Sequence, residues 1–174
     1  MLKIIGIIVV AAIAGVLVYA STQPNSFAVE RTVTINATPD KIAPLISDFN
    51  NWAAWSPFEK LDPAMKKTIT GSPSGIGSVY TWEGNAKAGA GRMEITRASA
   101  AQIDIKLDFL KPFASSNVTE FRLEPNGNAT NVTWHMHGPS SYMTKLMTTF
   151  MSMDKMVGKD FEEGLGNLKR IAEK

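Results

Sequence analysis

The chain has 174 residues, 44% hydrophobic and 20% charged, with a formal net charge of +2. That length suits one domain plus an appendage. Lysine and arginine are scattered among aspartate and glutamate, so no basic stripe marks a nucleic-acid surface. Cysteine is absent, which excludes disulfides, thiolate metal sites and a cysteine nucleophile.

The opening "MLKIIGIIVVAAIAGVLVYA" carries one charge, Lys3, and runs uncharged from Ile4 through Ala20. At ~1.5 Å per residue it just spans a ~30 Å hydrocarbon layer, with Tyr19 placed for the far interface. Val18-Tyr19-Ala20 before Ser21 also resembles a signal-peptidase site. The apolar run exceeds the ~7–15 residues of a signal h-region, however, which favours an uncleaved single-pass anchor. Lys3 and the amino terminus place the N-terminal end inside and the remaining chain outside the cytoplasm. The expected layout is an anchor over 1–20, a polar linker over 21–26 and one folded domain over 27–174.

"FAVERTVTI" (27–35) alternates and is rich in β-branched residues, so it reads as a strand. A helix start follows, with Thr38 as N-cap, Pro39 at the first helical position and Asp40 in the first turn. Ile42, Leu45, Ile46 and Phe49 supply its apolar face. Pro44 leaves the Asp40 carbonyl without its helical donor, which predicts a bend or a short helix. In "NNWAAWSPFEKLDP", Trp52 and Trp55 are spaced to share one face of a helical turn. They read as a structural corner that plugs one end of a core.

Strands are then predicted at roughly 65–70, 78–84, 91–98, 102–110, 117–124 and 129–137. Gly71-Ser-Pro-Ser-Gly-Ile-Gly77 lacks the Gly-Lys-Ser/Thr ending of a phosphate loop and opens no helix, so it is a turn. Toward the C-terminus Leu146, Phe150, Met153, Val157, Phe161, Leu165 and Leu168 recur at helical spacing and predict one long closing helix. The glycines at 158, 164 and 166 each cost such a helix roughly 1 kcal/mol against alanine. Close approach to a neighbour would offset that cost. The summed pattern is α+β, an antiparallel sheet with a long helix on its concave face.

The strand "VERTVTINATPDKI", the corner "DFNNWAAWSPFEKLDP", "YTWEGN", "KPFASS", "TNVTWHMHG" and the closing "MDKMVGKDFEEGLGNLK" together carry a family resemblance. Over about residues 27 to 172 the chain resembles the helix-grip, START-like (SRPBCC) superfamily, specifically its polyketide cyclase/dehydrase and lipid-transport branch. The resemblance implies a Bet v1-like curved sheet of about seven strands gripping the C-terminal helix, with an apolar cavity between them. Proteins of this branch often carry an N-terminal membrane helix and lean bacterial. The four Asn-x-Ser/Thr sites at Asn36, Asn117, Asn128 and Asn131 are therefore discounted as glycosylation sites.

Strand alternation then nominates the cavity lining. Tyr80 and Trp82, Met93, Ile105 and Phe109, Phe121, and Trp134 and Met136 share the inward face of their strands. From the helices come Trp52 and Trp55 at the corner, and Phe150, Met153, Phe161 and Leu165. His135 and His137 are the only histidines. They alternate with Trp134 and so face solvent. A metal site needs three or four ligands, and none stands nearby in sequence, so neither a metal nor a cofactor is expected.

Glu59, Asp62 and Glu83 fall near the expected mouth, but nothing in the sequence pairs them with a nucleophile, and no catalytic residue is assigned. The leading reading is a membrane-tethered module binding a small hydrophobic ligand such as a lipid, quinone or polyketide-like compound. A cyclase or dehydratase would need a titratable group in the void, and a protein-interaction domain would need a filled core with an exposed apolar patch.

Overall fold

The computed structural model describes residues 1–174. An apolar helix, α1 (Leu2–Ser21), leads into β1 (Ser26–Ile35), α2 (Pro39–Ser47) and the single turn α3 (Trp52–Trp55). Six strands follow: β2 (Lys66–Gly71), β3 (Ser78–Glu83), β4 (Ala90–Ala98), β5 (Gln102–Lys111), β6 (Ser115–Asn126) and β7 (Ala129–Pro139). Two helices, α4 (Tyr142–Thr148) and α5 (Met153–Ala172), close the chain. The seven strands form one antiparallel sheet in the order β1-β7-β6-β5-β4-β3-β2. Curved around α5, it is the helix-grip arrangement, α+β.

The period-2 pattern of the strands sets their two faces. Along β7 Val132, Trp134 and Met136 are buried while His135 and His137 remain partly exposed, and along β5 Ile103 and Ile105 are buried. Register then stacks Phe121 of β6 beside Trp134 of β7, and Ile105 of β5 beside Thr119 of β6. Phe161, Leu165 and Leu168 of α5 meet this face and join the same apolar core. Gly164 is buried there, and a Cβ on it would lie 2.8 Å from Trp134 Cζ3 and 3.2 Å from Pro57 Cδ. The glycine is what lets α5 sit down on the indole.

Arg31 ties α5 to the edge of the sheet, with its guanidinium 2.7 Å from Asp154 and 2.7 Å from Glu162. Lys169 adds a 2.7 Å bond to the Thr34 carbonyl. These partly exposed contacts position the helix more than they stabilise it.

The corner explains α2. This helix is short and contains Pro44, and its last carbonyls have no intrahelical donors. Side chains from the next turn supply them. Asn51 Nδ2 donates to the Pro44 carbonyl at 3.1 Å, Trp55 Nε1 to Leu45 at 2.9 Å and Trp52 Nε1 to Ile46 at 2.8 Å. The two indoles lie 4.8 Å apart, between Phe49 and Phe121.

The predicted single closing helix is two helices. The apolar spacing continues across residues 149–152, but Ser152 accepts from the Lys155 amide as the N-cap of α5 and restarts the chain in a new direction. Phe150 falls in the break and is 75% exposed, so it is not an inward residue.

α1 is long and apolar enough to cross a membrane and is almost wholly exposed, a form compatible with an anchor or a signal sequence. Tyr142 Oη donates to the Leu17 carbonyl at 3.0 Å, so α4 lies against the end of α1.

Candidate functional site

Between the concave face of the sheet and the helices lies a cavity of about 400 Å³. Its floor is aromatic, made of Trp52, Tyr80, Trp82 and Trp134, with Phe161 above. Methionine supplies much of the remaining wall, from Met65, Met93 and Met136 on one side to Met147, Met153 and Met156 on the other. Unbranched thioethers adapt to differently shaped contents. Trp82 is held flat by two contacts. Its Nε1 donates to the Ala88 carbonyl at 3.0 Å, and its ring lies against Gly91, where any side chain would collide with it.

The mouth is formed by the β5–β6 connection and α4. Phe113 and Met147 both line the cavity and are exposed, and Leu110, Tyr142, Met143, Phe150 and Met151 add exposed apolar surface around them. Lys87 and Lys111 stand at the same rim. Because α4 also touches α1, the cavity opens on the side where the apolar helix joins the fold.

Of the residues nominated from sequence, Trp52, Tyr80, Trp82, Met93, Phe109, Trp134, Met136, Met153 and Phe161 border this void. Trp55, Ile105, Phe121 and Leu165 are inward as the alternation requires, but they are sealed in the packed core behind it. They fill the deep end, where the sheet and α5 are closest. Phe150 is outside, for the reason given above.

One polar pair joins two residues that the sequence placed separately, Glu59 near the mouth and Tyr80 on the inward face. Glu59, in the turn Pro57–Lys60, lines the cavity and accepts a 2.6 Å hydrogen bond from Tyr80 Oη. Its other oxygen takes a 2.6 Å bond from Lys67 Nζ, which reaches in from β2. The Glu59 side chain is only 8% exposed. Burial, followed by the bond to Glu59, pushes the Tyr80 phenol well above its ordinary range, so it remains a protonated donor. The strand phase had placed Tyr80 inward. Glu59 lies in a turn without periodicity, and Pro57 at the start of a helical turn was the available signal. Asp62 instead caps backbone amides of Ala64 and Asn85, and Glu83 pairs with Lys111 at 2.8 Å.

Buried polar atoms complete the inventory. Ser56 Oγ, Asn117 Oδ1 and Trp134 Nε1 are buried without a hydrogen-bond partner in the protein, and all three residues border the cavity.

An antiparallel sheet wrapped on a helix, with an apolar void between them, defines the helix-grip fold. The chain belongs to the polyketide cyclase / dehydrase and lipid transport family, whose profile matches residues 26–173. No curated protein sequence matches it. Among solved structures it is similar to a Thermobifida fusca protein, with 16% identity and a TM-score of 0.63 over 83% of this chain and 92% of that one. It is also similar to the ZhuI aromatase/cyclase of a Streptomyces species, with 15% identity and a TM-score of 0.61 over 85% and 94%. Ara h 8.0201 shares the fold at 14% identity and a TM-score of 0.52 over 84% and 97%. At these identities the likeness establishes the fold.

Proposed function

We propose that this chain is a membrane-tethered module that holds a small hydrophobic ligand in the cavity between sheet and helix. The observation that carries the reading is the cavity itself, with 20 of its 30 lining residues hydrophobic. Its volume of about 400 Å³ falls toward the small end of the ~300–1,000 Å³ typical of ligand sites. An apolar mouth beside α1 supports loading from a bilayer by a ligand that need not cross water.

Native mass spectrometry of the full chain extracted from its own membrane tests both halves of this proposal. The protein mass should include residues 1–20, and a small apolar molecule should accompany it. A species starting at Ser21 would replace the tether with a cleaved signal. A fluorescent lipid or quinone probe should bind saturably, and Leu107→Trp, which projects a large ring from the cavity wall, should weaken it at least tenfold. Non-saturable binding, or binding indifferent to that substitution, would remove the carrier reading.

The Glu59–Tyr80 pair favours a second reading, a cyclase or dehydratase acting in the same cavity. A carboxylate and a phenol facing a water-poor void can remove and return protons on a bound polyketide-like substrate. Lys67 gives Glu59 a link toward solvent. In that case Glu59→Gln should reduce turnover by roughly 10²–10⁴-fold while probe affinity stays within a few-fold. Equal turnover in the variant would leave binding as the function.

A further inference from the structure

The outer face of the sheet, opposite the cavity, carries a second constellation. His135 and His137 project from β7 on the same side. The register sets Glu120 of β6 directly across from His135 and diagonal to His137. Glu120 Oε2 lies 3.4 Å from His135 Nδ1, and its Oε1 lies 3.7 Å from His137 Nε2. All three ligating atoms fall within 4.8 Å of one another. The imidazole centroids lie 5.0 Å apart, with the two rings tilted by 27°.

We infer that Glu120, His135 and His137 form a surface site for one borderline divalent transition-metal ion, of which Zn²⁺ is the representative. Metal–ligand bonds of about 2.0–2.2 Å in tetrahedral geometry place neighbouring donors about 3.4 Å apart. The two carboxylate–imidazole separations already stand close to that value. Two imidazoles and one carboxylate suit Zn²⁺, Cu²⁺ or Ni²⁺ and disfavour Mg²⁺ and Ca²⁺, which take all-oxygen sets. Three protein ligands leave one tetrahedral position for water or an exogenous anion.

The surroundings are consistent with such a site. Arg122 stands 3.6 Å from Glu120 Oε2 and 3.3 Å from Glu30, which orients the carboxylate while leaving Oε1 to His137. Entry is open, because both histidines border a solvent-facing groove of about 740 Å³ that also includes Lys106 and Ser116. Both strands are central in the sheet, so the ligand positions are set by the ladder and not by a loop.

The test is titration of tag-free full-length protein in detergent micelles with Zn²⁺ by calorimetry, with Co²⁺ as a spectroscopic substitute. One ion per chain is expected, and Co²⁺ should give visible absorption bands of a four-coordinate nitrogen–oxygen site. His137→Gln and Glu120→Gln should each weaken binding at least tenfold, and the double variant His135→Gln/His137→Gln should abolish it. A large excess of Mg²⁺ should not compete. Circular dichroism and apolar-probe binding, which report the fold and the opposite face, should match wild type in every variant. Absence of Zn²⁺ binding by wild type at micromolar concentrations would overturn the assignment. So would binding that His137→Gln leaves unchanged.

Discussion

Trp134→Ala should destabilise the fold by about 3–5 kcal/mol, the range for truncating a buried large aromatic. Trp134 is 3% exposed and stacks on Phe161 at 4.1 Å and 6°. Phe121 lies 4.9 Å away, with Trp55 and Phe58 packed edge-on. Only part of the indole borders the void, so most of its contacts are those of a core residue. No hydrogen bond is lost, because Nε1 has no partner in the protein. The penalty is therefore one of packing alone. The space left behind joins the cavity, and a bulkier apolar probe should be accepted by the variant. Urea melts of the full chain beside probe titrations measure both effects. A loss below about 1.5 kcal/mol would mean that the indole is a mobile cavity wall rather than the floor that seats α5.

The inward and outward faces of β7 were legible because alternation is a local property. Once Trp134 and Met136 are placed inward, His135 and His137 must face out, and they do. What the histidines meet there was not legible. Glu120 is brought to them by cross-strand register, 15 positions away from His135, and one residue of slip would replace it with a neighbour facing the other way. The same holds for Glu59 and Tyr80, 21 positions apart, one on a turn and one on a strand. Phe150 shows a different limit. Helical spacing ran through it without interruption, but Ser152 and its cap outweighed the pattern, and the helix restarted at Met153. Depth is the third limit. Phe121 and Trp134 share a face and stand side by side, yet Phe121 is sealed and Trp134 borders a void. Which of them touches a ligand depends on where α4 and α5 leave the sheet, and no strand periodicity encodes that.

Trp55→Ala should cost as much as Trp134→Ala or more, without removing a cavity wall. Trp55 is fully buried and packs against Trp52, Phe121 and Trp134. Its indole nitrogen also donates to the half-buried Leu45 carbonyl at the C-terminal end of α2. Truncation removes about 3–5 kcal/mol of packing and strands an acceptor worth about 1–3 kcal/mol more. Trp55→Phe narrows the difference, since it keeps one aromatic ring and loses the donor together with the rest of the indole. Its loss is expected to fall between the stranded acceptor alone, about 1–3 kcal/mol, and the full truncation. The backbone carbonyl of Trp55 meanwhile receives Asn167 Nδ2 of α5 at 3.0 Å, so the corner also holds the closing helix. If the tryptophan pair is a structural corner, folded Trp55→Phe should bind an apolar probe as wild type does, because Trp55 does not border the cavity. Trp52→Phe should alter both properties, because Trp52 caps Ile46 and also lines the void. Probe affinity that falls equally in the two variants, with little loss of stability in either, would make the pair a ligand-stacking platform instead.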